Sequence, residues 1–284
     1  MGLYAGQEGL LEAWKGEGIF LSMKSNAVDR ETVITVRHLT AGYGEAVILQ
    51  DLNFEIYAGE IFVILGGSGC GKSTLLKHLI GLQPPLAGSI TINGMELDPG
   101  NENAMQSILR HCGILFQSGA LFGSMTLAEN VALPLQEFTD LPVSCIDTLV
   151  RMKLALVNLS GYENHLPAEI SGGMKKRAGL ARAMALNPQI LFFDEPSAGL
   201  DPISSAELDQ LILNLNRNLG TTMVMVTHEL DSIYTVADRV IMLDKRSRGI
   251  IAEGDPAQLR DQSQNRFVRQ FFNRQPTAVE AENL

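Results

Sequence analysis

The chain of 284 residues carries 22 Lys and Arg against 32 Asp and Glu, a formal net charge of −10 that argues against a nucleic-acid partner held through its phosphates. With 45% hydrophobic and 19% charged residues and a mean hydropathy of +0.09, it is a globular chain with room for one large α/β domain, not a small stapled or disordered one. Cys70, Cys112 and Cys145 have no metal-type spacing and read as free thiols of a reducing compartment.

Residues 1 to 31 read as an N-terminal extension, expected to be poorly ordered; Leu10, Leu11, Trp14, Phe20 and Leu21 offer the alternative of a membrane-touching amphipathic patch. Met23 shortly precedes the first strand pattern, which leaves Met1 and Met23 both open as the biological start. From Thr32, half-buried strands are expected over Val33 to Leu39 and through Leu52, Phe54 and Ile56. The apolar block Ile61 to Leu65 reads as a fully buried strand, and Ser89 to Ile92 followed by Asn93-Gly94 as half of an antiparallel hairpin. Further buried strands are expected at Ile114 to Phe116, Ile190 to Phe193, Met223 to Val226 and Val240 to Leu243, with helical patterns between them. That order predicts an α/β P-loop fold: a central, mostly parallel sheet with a small antiparallel β subdomain. Residues 118 to 185 read as a helical subdomain within a domain spanning 32 to 255, and 256 to 284 as a polar C-terminal tail. No stretch reaches the roughly 18 uncharged apolar residues of a membrane span.

Gly66-Gly67-Ser68-Gly69-Cys70-Gly71-Lys72-Ser73-Thr74 fits G-x-x-x-x-G-K-[ST], placed after a buried strand and before a helix pattern. Such glycines let backbone N–H groups curl around phosphate oxygens, and the helix N-terminus adds partial positive charge. Lys72 offers an ammonium to the β and γ phosphates, and Ser73 a hydroxyl to Mg²⁺. Cys70, at a helix start, is expected to favour its thiolate and to be alkylated; the alternative is a small residue that fills space. Ile190-Leu191-Phe192-Phe193-Asp194 supplies the second strand ending in an acid that a P-loop needs for its magnesium. Glu195, directly after it, is then free to accept a proton from the attacking water.

Ser171-Gly172-Gly173-Met174 before a helix pattern, upstream of Asp194, makes the chain resemble the ATP-binding subunits of ABC transporters over roughly residues 33 to 255. The order of parts is similar too: Tyr43, the P-loop, Gln117, the Ser171 motif, Asp194-Glu195, Ser197 to Asp201, and His228. The resemblance implies that Tyr43 stacks on adenine, Gln117 reaches Mg²⁺ and the lytic water, and His228 senses the γ-phosphate. It further implies that Ser171, Gly172 and Gly173 serve the ATP of a second copy in a head-to-tail dimer, with Asp201 at that interface. One departure is Met174, where the family has glutamine. That change, Ser118-Gly119-Ala120-Leu121-Phe122 and Met174-Lys175-Lys176-Arg177 resemble the ATPases of Mla-type phospholipid transporters, which accompany a permease and an Mce-type lipid-binding protein.

The expected function is therefore ATP hydrolysis, with ATP and Mg²⁺, driving lipid transport through a separate permease at the cytoplasmic face of the inner membrane. An importer for amino acids or another small solute is the alternative. The segment between Gln117 and Ser171 has no room for the long coiled coils of DNA-repair relatives, and the chain holds one nucleotide domain where ribosome-acting relatives hold two. Leu121 and Phe122 are expected at the surface as the permease contact, with inward folding as the alternative.

Overall fold

A computed structural model describes residues 30–275. The expectations for the N-terminal extension, and for the chain beyond Gln275, lie outside the described residues. In chain order the elements are β1 (Thr32–Tyr43), β2 (Ala46–Tyr57), β3 (Ile61–Gly66), α1 (Lys72–Leu79), β4 (Ala87–Ile92), β5 (Met95–Glu96) and α2 (Glu102–Arg110). They continue as β6 (Cys112–Leu115), α3 (Leu127–Phe138), α4 (Val143–Leu156), a 3₁₀ turn at Pro167–Glu169, α5 (Gly172–Ala183) and β7 (Ile190–Asp194). The last third holds α6 (Pro202–Leu219), β8 (Thr222–Val226), α7 (Leu230–Val236), β9 (Arg239–Asp244), β10 (Gly249–Gly254), α8 (Pro256–Gln262) and α9 (Arg266–Phe272).

Two sheets form, a four-stranded one in the order β2-β1-β4-β5 and a six-stranded one in the order β10-β9-β3-β8-β7-β6. The first is antiparallel throughout. Its β4–β5 hairpin turns on Asn93 and Gly94, whose φ of 49° and 75° suit the tight mirror-image turn that the Asn-Gly pair predicts. In the second sheet β9, β3, β8, β7 and β6 run parallel, and β10 closes one edge antiparallel to β9.

Residue alternation in the parallel strands divides the interior into two cores. Ile61, Val63, Leu65, Leu191, Phe193, Met223 and Met225 join the core under α3 to α7. Phe62, Ile64, Ile190, Phe192, Val224 and Val226 join the core shared with α1 and the antiparallel sheet. Strands covered on both faces are expected to read as apolar runs, which is why these were visible in sequence. Each such side chain, fully buried, contributes about 1.5–3 kcal/mol.

The residues after Pro256 correct one expectation. They form α8, capped by Asp255 through the Gln258 N–H at 2.9 Å, and α9, capped by Asn265 through the Phe267 N–H at 2.9 Å. Val268 and Phe272 are buried in the same core as β3 and β7, so the domain does not end at 255. Their spacing of four puts both on one helix face. Between β6 and β7 the structure has α3, α4 and α5 and no strand, as expected.

Candidate nucleotide site

Functional side chains gather at the carboxyl ends of the parallel strands, where ligands of such sheets bind. β3 ends at Gly66 and opens into the glycine loop. Gly66, at φ 148°, lies so close to its neighbours that a Cβ there would come 2.4 Å from the Leu243 carbonyl oxygen. Gly71 has φ 106°, and a Cβ would press on Leu49 and Ile48 at 2.9 and 3.0 Å. It precedes α1 with no side-chain cap, so the first-turn N–H groups stay available to an anion. Lys72 Nζ donates to the carbonyls of Gly66 at 3.0 Å and Gly67 at 3.3 Å, which holds the ammonium over the loop. Together the loop, Ile48, Glu195, His228 and Phe271 line a cleft of about 650 Å³. A larger hollow of about 800 Å³ lies at the amino ends of β6, β7 and β8, beside Lys153, Asn187 and Gln189, away from these groups.

Asp194 ends β7 with its Oδ1 buried and without a hydrogen-bond partner. Burial, reinforced by the neighbouring Glu195, pushes its carboxyl above the ordinary aspartate range. A carboxylate oxygen left open in this way fits a hard cation, and Ser73, which lines the cleft, offers a hydroxyl oxygen of the same hard-donor kind. Among the described residues no group of three or more His, Cys, Asp or Glu forms a cage for a metal ion. Mg²⁺ is commonly held by one or two carboxylates together with substrate phosphates.

Glu195 stands at φ 48°, a conformation that costs a non-glycine residue about 1–3 kcal/mol and persists only when its surroundings enforce it. Here its N–H donates to the Val226 carbonyl at 2.8 Å, tying it to β8. Its carboxylate meets His228 Nδ1 at 2.9 Å through Oε1 and 2.8 Å through Oε2. The two residues predicted to act on water and on the γ-phosphate thus touch across the ends of β7 and β8.

Tyr43, at the end of β1, is 41% exposed. Its hydroxyl accepts from Thr74 Oγ1 at 3.4 Å and Lys77 Nζ at 3.3 Å, and the Thr74 bond, helped by Lys77, lowers the phenol's pKa. Buried His78 fixes the strand beside it, Nε2 accepting from the Gly42 N–H at 3.1 Å and Nδ1 lying 2.9 Å from the Gln83 carbonyl. Gln117 is exposed just beyond β6 and does not line the cleft.

Ser171, Gly172, Gly173 and Asp201 lie outside the cleft as well. Ser171 caps α5, its Oγ accepting from the Met174 N–H at 3.2 Å, and its own O–H remains able to donate outward. Asp201 caps α6 through the N–H groups of Ile203 and Ser204 at 3.1 and 3.0 Å. Leu200 and Ser204 adjoin Gly173, so the two capped helix starts sit side by side.

Cys70 departs from expectation. It is buried, and desolvation raises its thiol pKa against the opposing pull of Lys72, so the thiolate is disfavoured and the residue packs the core. Sequence reasoning also missed Ile48, Phe271 and the buried Lys176. Phe267, Val268, Phe271 and Phe272 carry the helical spacing that would have flagged α9.

A glycine loop between a buried strand and an uncapped helix, with an acid pair at the end of β7 two strands away in the same parallel sheet, defines a P-loop nucleotide-binding domain. The model of the ABC transporter family matches residues 49–198, and the chain belongs to that family. It is 46% identical over 240 residues to the probable ribonucleotide transport ATP-binding protein mkl of Mycobacterium tuberculosis, covering 84% of this chain and 66% of that longer protein. It is 40% identical to the intermembrane phospholipid transport system ATP-binding protein MlaF of Haemophilus influenzae, over 85% of this chain and 90% of that one. The methionine import ATP-binding protein MetN of Xylella fastidiosa is 42% identical over 73% of this chain and 62% of its own length. Among solved structures, the dimeric ATP-binding cassette MJ0796 with ADP and Pi superposes with a TM-score of 0.70 at 30% identity, covering 78% of this chain and 98% of that one.

Proposed function

We propose that this chain is the ATP-hydrolysing subunit of an ABC transporter that moves phospholipid through a separate membrane permease. The observation that carries the hydrolytic part is the meeting of the phosphate loop, Glu195 and His228 in one cleft. Loop N–H groups and Lys72 bind the β and γ phosphates, and Tyr43 offers its exposed ring to adenine. Ser73 and Asp194 would hold Mg²⁺, joined by Gln117 once its loop brings it in from outside the cleft, and the ion neutralises charge on the phosphate oxygens when bound. Glu195 accepts the proton of the attacking water, and His228, fixed against that carboxylate, faces the γ-phosphate.

Ser171, Gly172, Gly173 and Asp201 stand apart from the cleft in their own chain, which supports their serving the nucleotide of a second copy in a head-to-tail pair. Among the described residues no helix is long and apolar enough to cross a membrane, in keeping with a separate permease and a peripheral place at the cytoplasmic face of the inner membrane. Phe122 is 51% exposed on a loop held by Asn130, which accepts from the Phe122 N–H at 2.8 Å and donates to the Phe122 carbonyl at 3.1 Å. Arg182 braces the same loop through the carbonyls of Ala120 at 2.8 Å and Gly119 at 3.0 Å. Beside Arg182 runs an apolar groove of about 340 Å³ lined by Leu109, Phe116, Pro134 and Phe138, a fit for a cytoplasmic helix of the permease. Similarity to MlaF over most of its length, with Met174 and the basic run Lys175 to Arg177, supports phospholipid as cargo and an Mce-type protein in the assembly. Similarity to a methionine import protein favours the second reading, an importer of amino acids or another small solute.

Glu195→Gln tests the hydrolytic core: ATP binding should persist, turnover should fall by about 10²–10⁴, and the chain should collect as an ATP-loaded dimer. Normal turnover would place the base elsewhere. In the solubilised complex, stimulation of ATPase activity by phospholipid or by methionine separates the two cargo readings.

A further inference from the structure

Lys176 lies one turn beyond the start of α5, and its side chain is buried, with the residue 6% exposed. It points into the turn that follows the acid pair. There Nζ donates to the main-chain carbonyls of Ala198 at 2.6 Å, of Pro196, and of Glu195 at 3.4 Å. An ammonium has three donors and no acceptor, so three carbonyls diverging from one turn match it fully. The turn it grips holds Glu195 in its left-handed backbone conformation and then runs through Gly199 and Leu200 to Asp201. The helix that carries Lys176 begins with Ser171, Gly172 and Gly173. A helix moves as a rod over a single turn of about 5.4 Å, so a shift of its first turn reaches the lysine undiminished.

We propose that Lys176 is a positioning residue that ties the Ser171 end of α5 to Glu195 of the same chain, so that engagement of the Ser171 end of one α5 sets the carboxylate of that subunit's own cleft. The clamp acts on the backbone of Glu195 and touches neither nucleotide nor water. It rests on the reading of Glu195 as the base. Burial of a charged group beside that turn is an expensive way merely to stiffen a loop, and a neutral amide could cap two carbonyls with less desolvation. The ammonium instead places a full positive charge behind the Glu195 turn, and burial draws its own pKa downward while the Glu195 carboxylate opposes that shift.

The test is a double-mutant cycle in the full-length chain, with ATP affinity, kcat, melting temperature and ATP-driven dimerisation measured for each variant. Lys176→Met should lower kcat by about ten- to a hundredfold, the range expected from losing hydrogen bonds of a charged group, with ATP affinity unchanged. Lys176→Gln, which keeps two N–H donors, should lose less. Over Glu195→Gln, either change should cost no further rate, because the group being positioned is already gone, and the ATP-loaded dimer should still form. A Lys176→Met chain with wild-type kcat overturns the proposal, as does an equal fold loss on both backgrounds. Should Lys176→Met fail to fold, Lys176→Gln carries the same comparison, and an additive loss overturns the proposal there too. Full turnover of Glu195→Gln alone overturns it by a separate route, by removing the base it serves.

Discussion

At the phosphate loop α1 begins with no side-chain cap, whereas α5 begins under Ser171 and α6 under Asp201. The uncapped start opens into the cleft above one of the two cores, and the capped starts lie on the surface, where Ser171 and Asp201 are exposed. A helix end without a cap leaves N–H groups in need of an acceptor, so the first region is built for an anion brought to it within the chain. A capped end is satisfied by itself, each cap contributing about 1 kcal/mol, and still presents a hydroxyl or carboxylate outward. The second region is therefore stable unliganded, and in the proposed head-to-tail pair it would form half of a site against the other copy.

Substitutions can break that contrast, beginning with the largest effect on the nucleotide. Lys72→Ala removes the loop's charged side chain and should weaken ATP binding by about a hundredfold in calorimetry, since hydrogen bonds to charged groups contribute about 1.5–3 kcal/mol each and this ammonium makes more than one. Unchanged affinity would mean that the backbone alone holds the phosphates. Ser171→Asp sharpens the other half, because aspartate caps as well as serine but sets a negative charge where a phosphate is to be received. Melting temperature and single-chain ATP affinity should hold while hydrolysis drops by about tenfold or more; equal turnover would free Ser171 of any part in the partner's site.

Phe122→Asp should leave folding within about 0.5 kcal/mol, as exposed substitutions do, and leave ATP binding intact. Co-purification with the permease and lipid transport should be lost, and a variant that still assembles would exclude this loop as the contact. The smallest effect concerns His78. Burial holds its pKa below the ordinary 6.5, so the fold keeps it neutral while the unfolded chain takes up a proton. Stability is then full above pH 6.5 and is lost as pH falls from there toward the depressed folded value. Thermal melts across that range should show the decline, and a His78→Gln chain should lack that slope.

Much of this was legible because the informative residues are dense in chemistry or in apolar runs. Ile61 to Leu65 and Ile190 to Phe193 are buried on both faces, and such strands announce themselves without periodicity. The turn at Asn93-Gly94 followed from backbone sterics alone. What stayed hidden depends on distant residues. Phe271 reaches the phosphate cleft only because α9 folds back onto the sheet, and polar neighbours such as Arg266, Arg269 and Gln270 masked its apolar face. Cys70 misled because a helix N-terminus favours thiolates in water, while here desolvation is the larger influence. Lys176 sits in a run of three basic residues that stands out in sequence only through the Mla-type resemblance, and only the fold shows the middle one turned inward.

β3 contributes Ile61, Val63 and Leu65 to one core and Phe62 and Ile64 to the other, so the strand entering the phosphate loop is clamped from both sides. Its amides should be among the last in the chain to exchange with deuterated solvent, opening only when the whole domain unfolds. A loop anchored in that way has little disorder to lose when phosphate arrives. On the proposed coupling through α5, protection factors along β3 should be alike with and without ATP while those around α5 change.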